Sequence, residues 1–209
     1  SEELVCSAKD PTVKVNSKIS VLVTLAGYFR KSSEGDLYFA QIGFPSSLIN
    51  FIKTHGSFCI WNIRVHPLIV ADKRKRAYVF SRLNYIFRDN PNVVWRQCNN
   101  ETIYSALNRC SVHITYNSAS ARDAANVGIH TAVLDTHYDD VNLYFEDLIK
   151  EGTVTVCSAG IHQNFKEWIV NSSNKKLYPN AKKANAPIER RSLFKPFIAH
   201  IESIINMAP

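Results

Sequence analysis

Two groups of residues in this chain have types and spacing suited to chemistry: His66 followed at once by Pro67, and about fifty positions later the run Thr115-Tyr116-Asn117-Ser118-Ala119-Ser120. An imidazole near neutral pH can donate a hydrogen bond to a phosphate oxygen or act as an acid toward a leaving group. It can equally make an ordinary backbone hydrogen bond. Hydroxyl side chains at a strand-to-helix turn cap the helix, and they also leave its first N–H groups turned toward an anion. Glu101 carries the third useful group. A carboxylate there interacts favourably with a helix dipole or accepts hydrogen bonds from a pair of vicinal hydroxyls.

These residues matter only if the fold brings them together, and the pattern of the chain says how. Residues 19–25, Ile-Ser-Val-Leu-Val-Thr-Leu, form a continuous apolar run of the buried-strand type. Further strand-like runs cover residues 58–65, 93–96, 112–115, 130–134 and 153–157. Helical spacing of apolar residues recurs between them, at 45–54, 73–87, 101–108, 119–126, 142–150 and 162–170. Asn100 is placed to cap the third of these helices. Gly56 and Gly128 are placed to close the first and fourth.

Strands alternating with helices predict an α/β fold, a Rossmann-like and mostly parallel sheet of about six strands with helices on both faces. The chain reads as one domain over 1–209, with a polar loop or linker at 171–190 and a C-terminal helix at 191–206. In such sheets ligands sit outside the carboxyl ends of the strands, so Arg64 with His66, Asn117 to Ser120 and Gly27 all fall where a ligand would be.

Arg64-Val65-His66-Pro67, followed by Thr115-x-x-Ser118-x-Ser120, resembles the C-terminal half of GT-B glycosyltransferases that use cytidine-nucleotide donors. These include bacterial sialyltransferases, capsule Kdo transferases and teichoic-acid glycerophosphotransferases. The resemblance covers residues 19–160 and takes in Asp123, Gly128 and the strand Thr131-Ala132-Val133-Leu134. It implies that His66, Asn117, Ser118 and Ser120 meet the donor phosphate, with His66 also catalytic. It further implies Glu101 and Pro67 at the ribose or base, and Arg64 and Gly27 near the sugar. Ala119 separates two serines that are adjacent in many members, which leaves open which serine meets the phosphate.

The implied activity is that of a donor-binding half for surface polysaccharide. The donor would be a CMP-linked sugar such as Kdo or sialic acid, with CDP-glycerol or a UDP-sugar as alternatives. No cofactor or metal is implied, and the acceptor-binding N-terminal domain would be a separate partner. A non-catalytic Rossmann-like binding module is the competing reading.

Composition narrows the classes. With 45% hydrophobic and 21% charged residues, the chain has the make-up of a globular protein. No apolar run approaches the roughly 20 residues that cross a bilayer. Glu2 and Glu3 stand where a signal peptide would be basic, and the start at Ser1 suits an excised domain. Five scattered cysteines without a C-x-x-C pair suit a reduced, cytoplasmic protein.

The net charge of +7 collects in Lys73-Arg74-Lys75-Arg76 and between Lys175 and Lys195. Such clusters fit either a solvated face or an anionic partner, here an anionic membrane surface at the inner face. Nucleic acid is not expected, because aromatic residues do not interleave with these clusters along the sequence.

Overall fold

A computed structural model describes residues 18–26, 44–116, 118–134, 144–157 and 164–175. All of them fall within one compact unit, Ser1–Leu177. Six strands run through it: β1 (Ile19–Thr24), β2 (Cys59–Arg64), β3 (Val93–Val94), β4 (Val112–Thr115), β5 (His130–Leu134) and β6 (Val154–Cys157). Seven α-helices accompany them among the described residues. These are α1 (Ser46–His55), α2 (Pro67–Ala71), α3 (Lys73–Phe87), α4 (Ile103–Asn108), α5 (Ser120–Asn126), α6 (Glu146–Lys150) and α7 (Phe165–Asn174).

Every strand pair is parallel, and the order across the sheet is β3-β2-β1-β4-β5-β6. This is the doubly wound order, in which the direction of strand addition reverses between β1 and β4 and leaves a crevice at their carboxyl ends.

Burial on both faces explains why the strands read as apolar runs. On one face Val21, Val23, Trp61, Ile63 and Ile114 pack with Leu48 and Ile52 of α1, Leu83 of α3 and Ile169 of α7. On the other, Leu22 meets Ala106 and Leu107 of α4 and Ala124 of α5. Val133 there meets Ala121 of α5 and Leu148 of α6. Truncating a fully buried residue such as Ile63 to Ala would cost about 2–5 kcal/mol through lost contacts and a residual cavity. Trp61 adds a polar tie, since its indole N–H donates to the Gly56 carbonyl at 3.1 Å.

Several elements differ from the sequence-based expectation, each for a local reason. Pro67 ends β2 but also opens the short helix α2, because its fixed φ suits the first helical position and its missing N–H is not needed there. Asn100 does not cap α4. Thr102 does, its hydroxyl accepting the Ser105 N–H at 3.1 Å, while Asn100 closes a 3₁₀ turn over Gln97–Asn99. The expected loop at Asn171 starts later, as α7 carries on through Asn174 with Ile169 and Ser172 buried. The rest of that segment, and the helix expected at 191–206, lie outside the described residues. Gly128 follows the Val127 C-cap of α5 with φ of 78°, the left-handed conformation that favours glycine.

Candidate functional site

At the carboxyl end of the sheet the register aligns Arg64 with Thr24, and Thr24 with Thr115. Side chains alternate along each strand, so these three point to one face, the side covered by α4 and α5. One step down, the same face carries Asn62, Leu22, His113 and Thr131.

Thr24, His113, Thr115 and Thr131 of these rows, with Ser120, form a buried network across the switch point. Thr24 Oγ1 lies 2.9 Å from His113 Nε2, donates to Thr115 Oγ1 at 2.8 Å, and lies 2.9 Å from Ser120 Oγ. On the far side His113 Nδ1 is 3.1 Å from Thr131 Oγ1. His113 is fully buried, and burial alone pushes its pKa down to about 3, so the ring is neutral at physiological pH.

The network places the two serines differently. Ser120 begins α5 but is buried, and its hydroxyl turns inward to Thr24 and Thr115. Ser118 is half-buried at the mouth. Its oxygen accepts the Ser120 hydroxyl at 3.0 Å and the Ser120 N–H at 3.3 Å. Ser118 is therefore the more accessible of the two serines, and Ser120 supports it from beneath. The N-cap position of α5 is Ala119, which offers no side-chain bond. Asn117 and Gly27 lie outside the described residues.

His66 stands at the carboxyl end of the neighbouring strand β2 and caps α2. Its Nδ1 accepts the Leu68 N–H at 3.2 Å, and burial lowers its pKa below the usual value. A neutral ring that accepts at Nδ1 carries its proton on Nε2, so His66 retains one donor for a ligand. Pro67 occupies the first turn of α2. β1 stands between β2 and β4, so the strands that lead to His66 and Ser118 are about 10 Å apart by ordinary sheet spacing.

Arg64 and Glu101 belong to a second cluster beside this one. The Arg64 guanidinium donates to the Cys98 carbonyl. Burial lowers the Arg64 pKa, and the Glu101 charge opposes that shift. Glu101 itself pairs with Arg109 and lies just before the Thr102 cap, not in the first turn of α4. Asn99 fixes the β2 end, accepting the Val65 N–H at 2.9 Å and donating to the Trp95 carbonyl. Asp123 of α5 accepts a hydrogen bond from Tyr104 of α4 at 3.0 Å and so ties the two helices.

Sequence reasoning missed Thr24, His113 and Thr131. A signal was present: Val112-His113-Ile114-Thr115 alternates apolar and polar residues inside a strand with both faces buried. Buried polar groups require partners, so such alternation marks a network.

No group of three or more His, Cys, Asp or Glu among the described residues is arranged to hold a metal. A surface groove of about 440 Å³ lined by Lys53, Tyr85, Arg88 and Asp89 lies at the C-terminal end of α3. That is the amino-end edge of the sheet, where doubly wound folds do not place ligands. No described helix is long and apolar enough to cross a membrane.

Fold and site together define a Rossmann-like α/β domain whose switch point is lined by hydroxyls. The chain matches no protein-family model, and no curated protein matches it.

Proposed function

We propose that this chain is the donor-binding half of a GT-B glycosyltransferase, holding a nucleotide-sugar, with a CMP-linked acidic sugar favoured. The observation that carries the reading is the strand order. It places the β1–β4 reversal, where doubly wound folds bind nucleotides, at the Thr24–Thr115–Ser120–Ser118 cluster, with His66 and Arg64 at the end of the adjacent strand.

In this reading the Ser118 hydroxyl and His66 Nε2–H donate to the donor phosphate from either side of the β1 end. Both bonds strengthen as the sugar leaves and charge gathers on the phosphate, which is the condition for lowering the barrier. Arg64 adds positive charge nearby, and Glu101 is the carboxylate offered to the ribose. The acceptor and any general base come from the partner domain. The work is cytoplasmic, at the inner membrane face.

Calorimetric titration with CMP, UMP and cytidine tests this. Saturable CMP binding that is stronger than cytidine binding is expected. Absence of binding by any nucleotide at millimolar concentration would remove the proposal and leave a Rossmann-like interaction module.

A further inference from the structure

The Arg64 cluster beside the hydroxyl network carries an unbalanced charge. Arg64 and Arg109 supply cations and Glu101 a single carboxylate, and that carboxylate is paired with Arg109. Among the described residues, Glu101 is the only carboxylate whose charge acts on Arg64, and no carboxylate is in ion-pair contact with it.

A neutral group holds the Arg64 guanidinium in place. It donates to the carbonyl of Cys98, in the 3₁₀ turn Gln97–Asn99. That turn is itself pinned to the sheet, since Cys98 is buried and Asn99 accepts the Val65 N–H and donates to the Trp95 carbonyl. A guanidinium presents several N–H donors in a rigid fork, and among the described residues the Cys98 carbonyl is its one acceptor. The other donors are held ready for a planar anion, with little further side-chain ordering to be done on binding.

Partial burial makes the unbalanced charge costly. Arg64 is half-buried, and desolvation disfavours its charged form. An anion that meets the guanidinium offsets that penalty, and a half-buried pair is screened by salt less than an exposed one.

The position of Arg64 in the sheet says which anion. Arg64 aligns with Thr24 across the β1–β2 pair and shares a sheet face with Thr24 and Thr115. Adjacent strands lie about 4.8 Å apart, so the Arg64 end of β2 is one strand from the β1 end. Ser118 and His66 address the donor phosphate from either side of that end. An anion at Arg64 is thus a neighbour of that phosphate within the same ligand.

We propose that Arg64 is the specificity-determining residue of a second anion subsite, which takes a carboxylate or phosphate group lying next to the first phosphate of the ligand. The first phosphate, and so the place of the second group, rests on the functional reading above. A CMP-linked sugar acid brings such a carboxylate, CDP brings such a phosphate, and CMP brings neither.

Calorimetry with matched ligands tests this on the wild type, Arg64→Gln and Arg64→Lys, with thermal melts to show that each is folded. CDP is compared with CMP, and CMP-sialic acid with its methyl ester, in which the carboxylate is masked. In the wild type at least one member with the second anion should bind about ten-fold or more tightly than its match, the scale of a hydrogen-bonded ion pair. Which pair shows the gain separates the carboxylate from the phosphate. Arg64→Gln should erase the gain and leave CMP affinity unchanged. Arg64→Lys keeps a cation without the fork and should recover part of it.

Equal losses for CMP and for the ligands with a second anion would place Arg64 at the first phosphate or in the scaffold, and overturn the proposal. So would a wild type that gains nothing from either group. Should the variants fail to fold, ¹H–¹⁵N correlation on the wild-type Arg64 guanidinium decides, since its signals should move with CDP or CMP-sialic acid far more than with CMP. A wild type that binds no nucleotide overturns the functional reading. The same signals are then followed during titration with inorganic phosphate and with acetate. A saturable shift retains the anion subsite, and unmoved signals overturn it as well.

Discussion

His113 Nε2 lies 2.9 Å from Thr24 Oγ1, a contact that joins β4 to β1 beneath the point where the sheet reverses. Because burial holds the His113 pKa at about 3 against an ordinary 6.5, the unfolded chain binds a proton there that the folded chain refuses. The sign follows. Stability from this residue is complete above pH 6.5 and is lost as pH falls toward 3. At about 1.4 kcal/mol per pH unit the loss over that window is on the order of 4 kcal/mol. His66 and His130 shift in the same direction, so the measurement is a difference. Denaturant unfolding of wild type and His113→Gln at pH 7 and pH 4 should show a smaller acid loss in the variant. Parallel losses would mean that His113 is not neutral and buried.

His66 has two roles that substitution can separate. As the N-cap of α2 it is worth about 1 kcal/mol, so His66→Ala should lower stability as well as nucleotide affinity. Asparagine caps helices well but has no Nε2–H to offer. His66→Asn should therefore retain the melting temperature while weakening CMP about ten-fold. If His66→Asn binds CMP like the wild type, the imidazole does not reach the phosphate.

The two serines should also part company. Ser118→Ala removes a half-exposed hydroxyl and is expected to weaken CMP about ten-fold with stability changed by less than about 1 kcal/mol. Ser120→Ala removes one buried partner from each of Thr24 and Thr115 and should cost about 1–3 kcal/mol of stability. Calorimetry paired with thermal melts reads both numbers. The reverse pattern would place Ser120, not Ser118, at the ligand.

Glu101 is offered to a ribose yet already pairs with Arg109. If it does both, Glu101→Gln should weaken CMP several-fold while changing dCMP affinity little, since a carboxylate holding both ribose hydroxyls loses a partner in the deoxynucleotide. Equal effects on the two nucleotides would confine Glu101 to the ion pair.

Much of this arrangement could be read from the chain. Val21-Leu22-Val23 announced a buried parallel strand, and the boundaries of β4, β5 and α3 fell where periodicity placed them. Gly128 was legible because a helix that stops in the left-handed conformation favours glycine. The strand order was not legible. Nothing local in Val112–Thr115 says that it pairs with β1 and not β3, because that choice is settled by which helix covers which face. The direction in which Ser120 points was hidden for the same reason: the hydroxyls that hold it come from Thr24 and Thr115, and Thr24 is 96 positions away.

The basic cluster looked different once folded. Lys73, Arg74, Lys75 and Arg76 begin α3, where the helix dipole disfavours cations and the Asp72 cap, accepting from the Arg74 and Lys75 N–H groups, partly offsets this. Stability alone does not favour four cations there. Val79, Leu83 and Phe87 face the core, so Arg74, Tyr78, Ser81, Tyr85 and Arg88, at helical spacing, run along the opposite, exposed face. Arg82 stacks on Tyr85, its guanidinium carbon 5.7 Å from the ring centroid. The aromatic residues that were separate from the cations in sequence are thus interleaved with them in space. Cations with tyrosines suit the headgroup layer of an anionic bilayer, where each Lys or Arg contributes about 1 kcal/mol. Flotation with vesicles of neutral lipid, and of neutral lipid with phosphatidylserine, should show binding only to the latter. That binding should fall at least ten-fold when Arg74, Lys75 and Arg76 are changed to Gln together. Equal partitioning into both vesicles would leave α3 a solvated face, and tighter binding to single-stranded DNA than to anionic vesicles would identify a nucleic-acid surface instead.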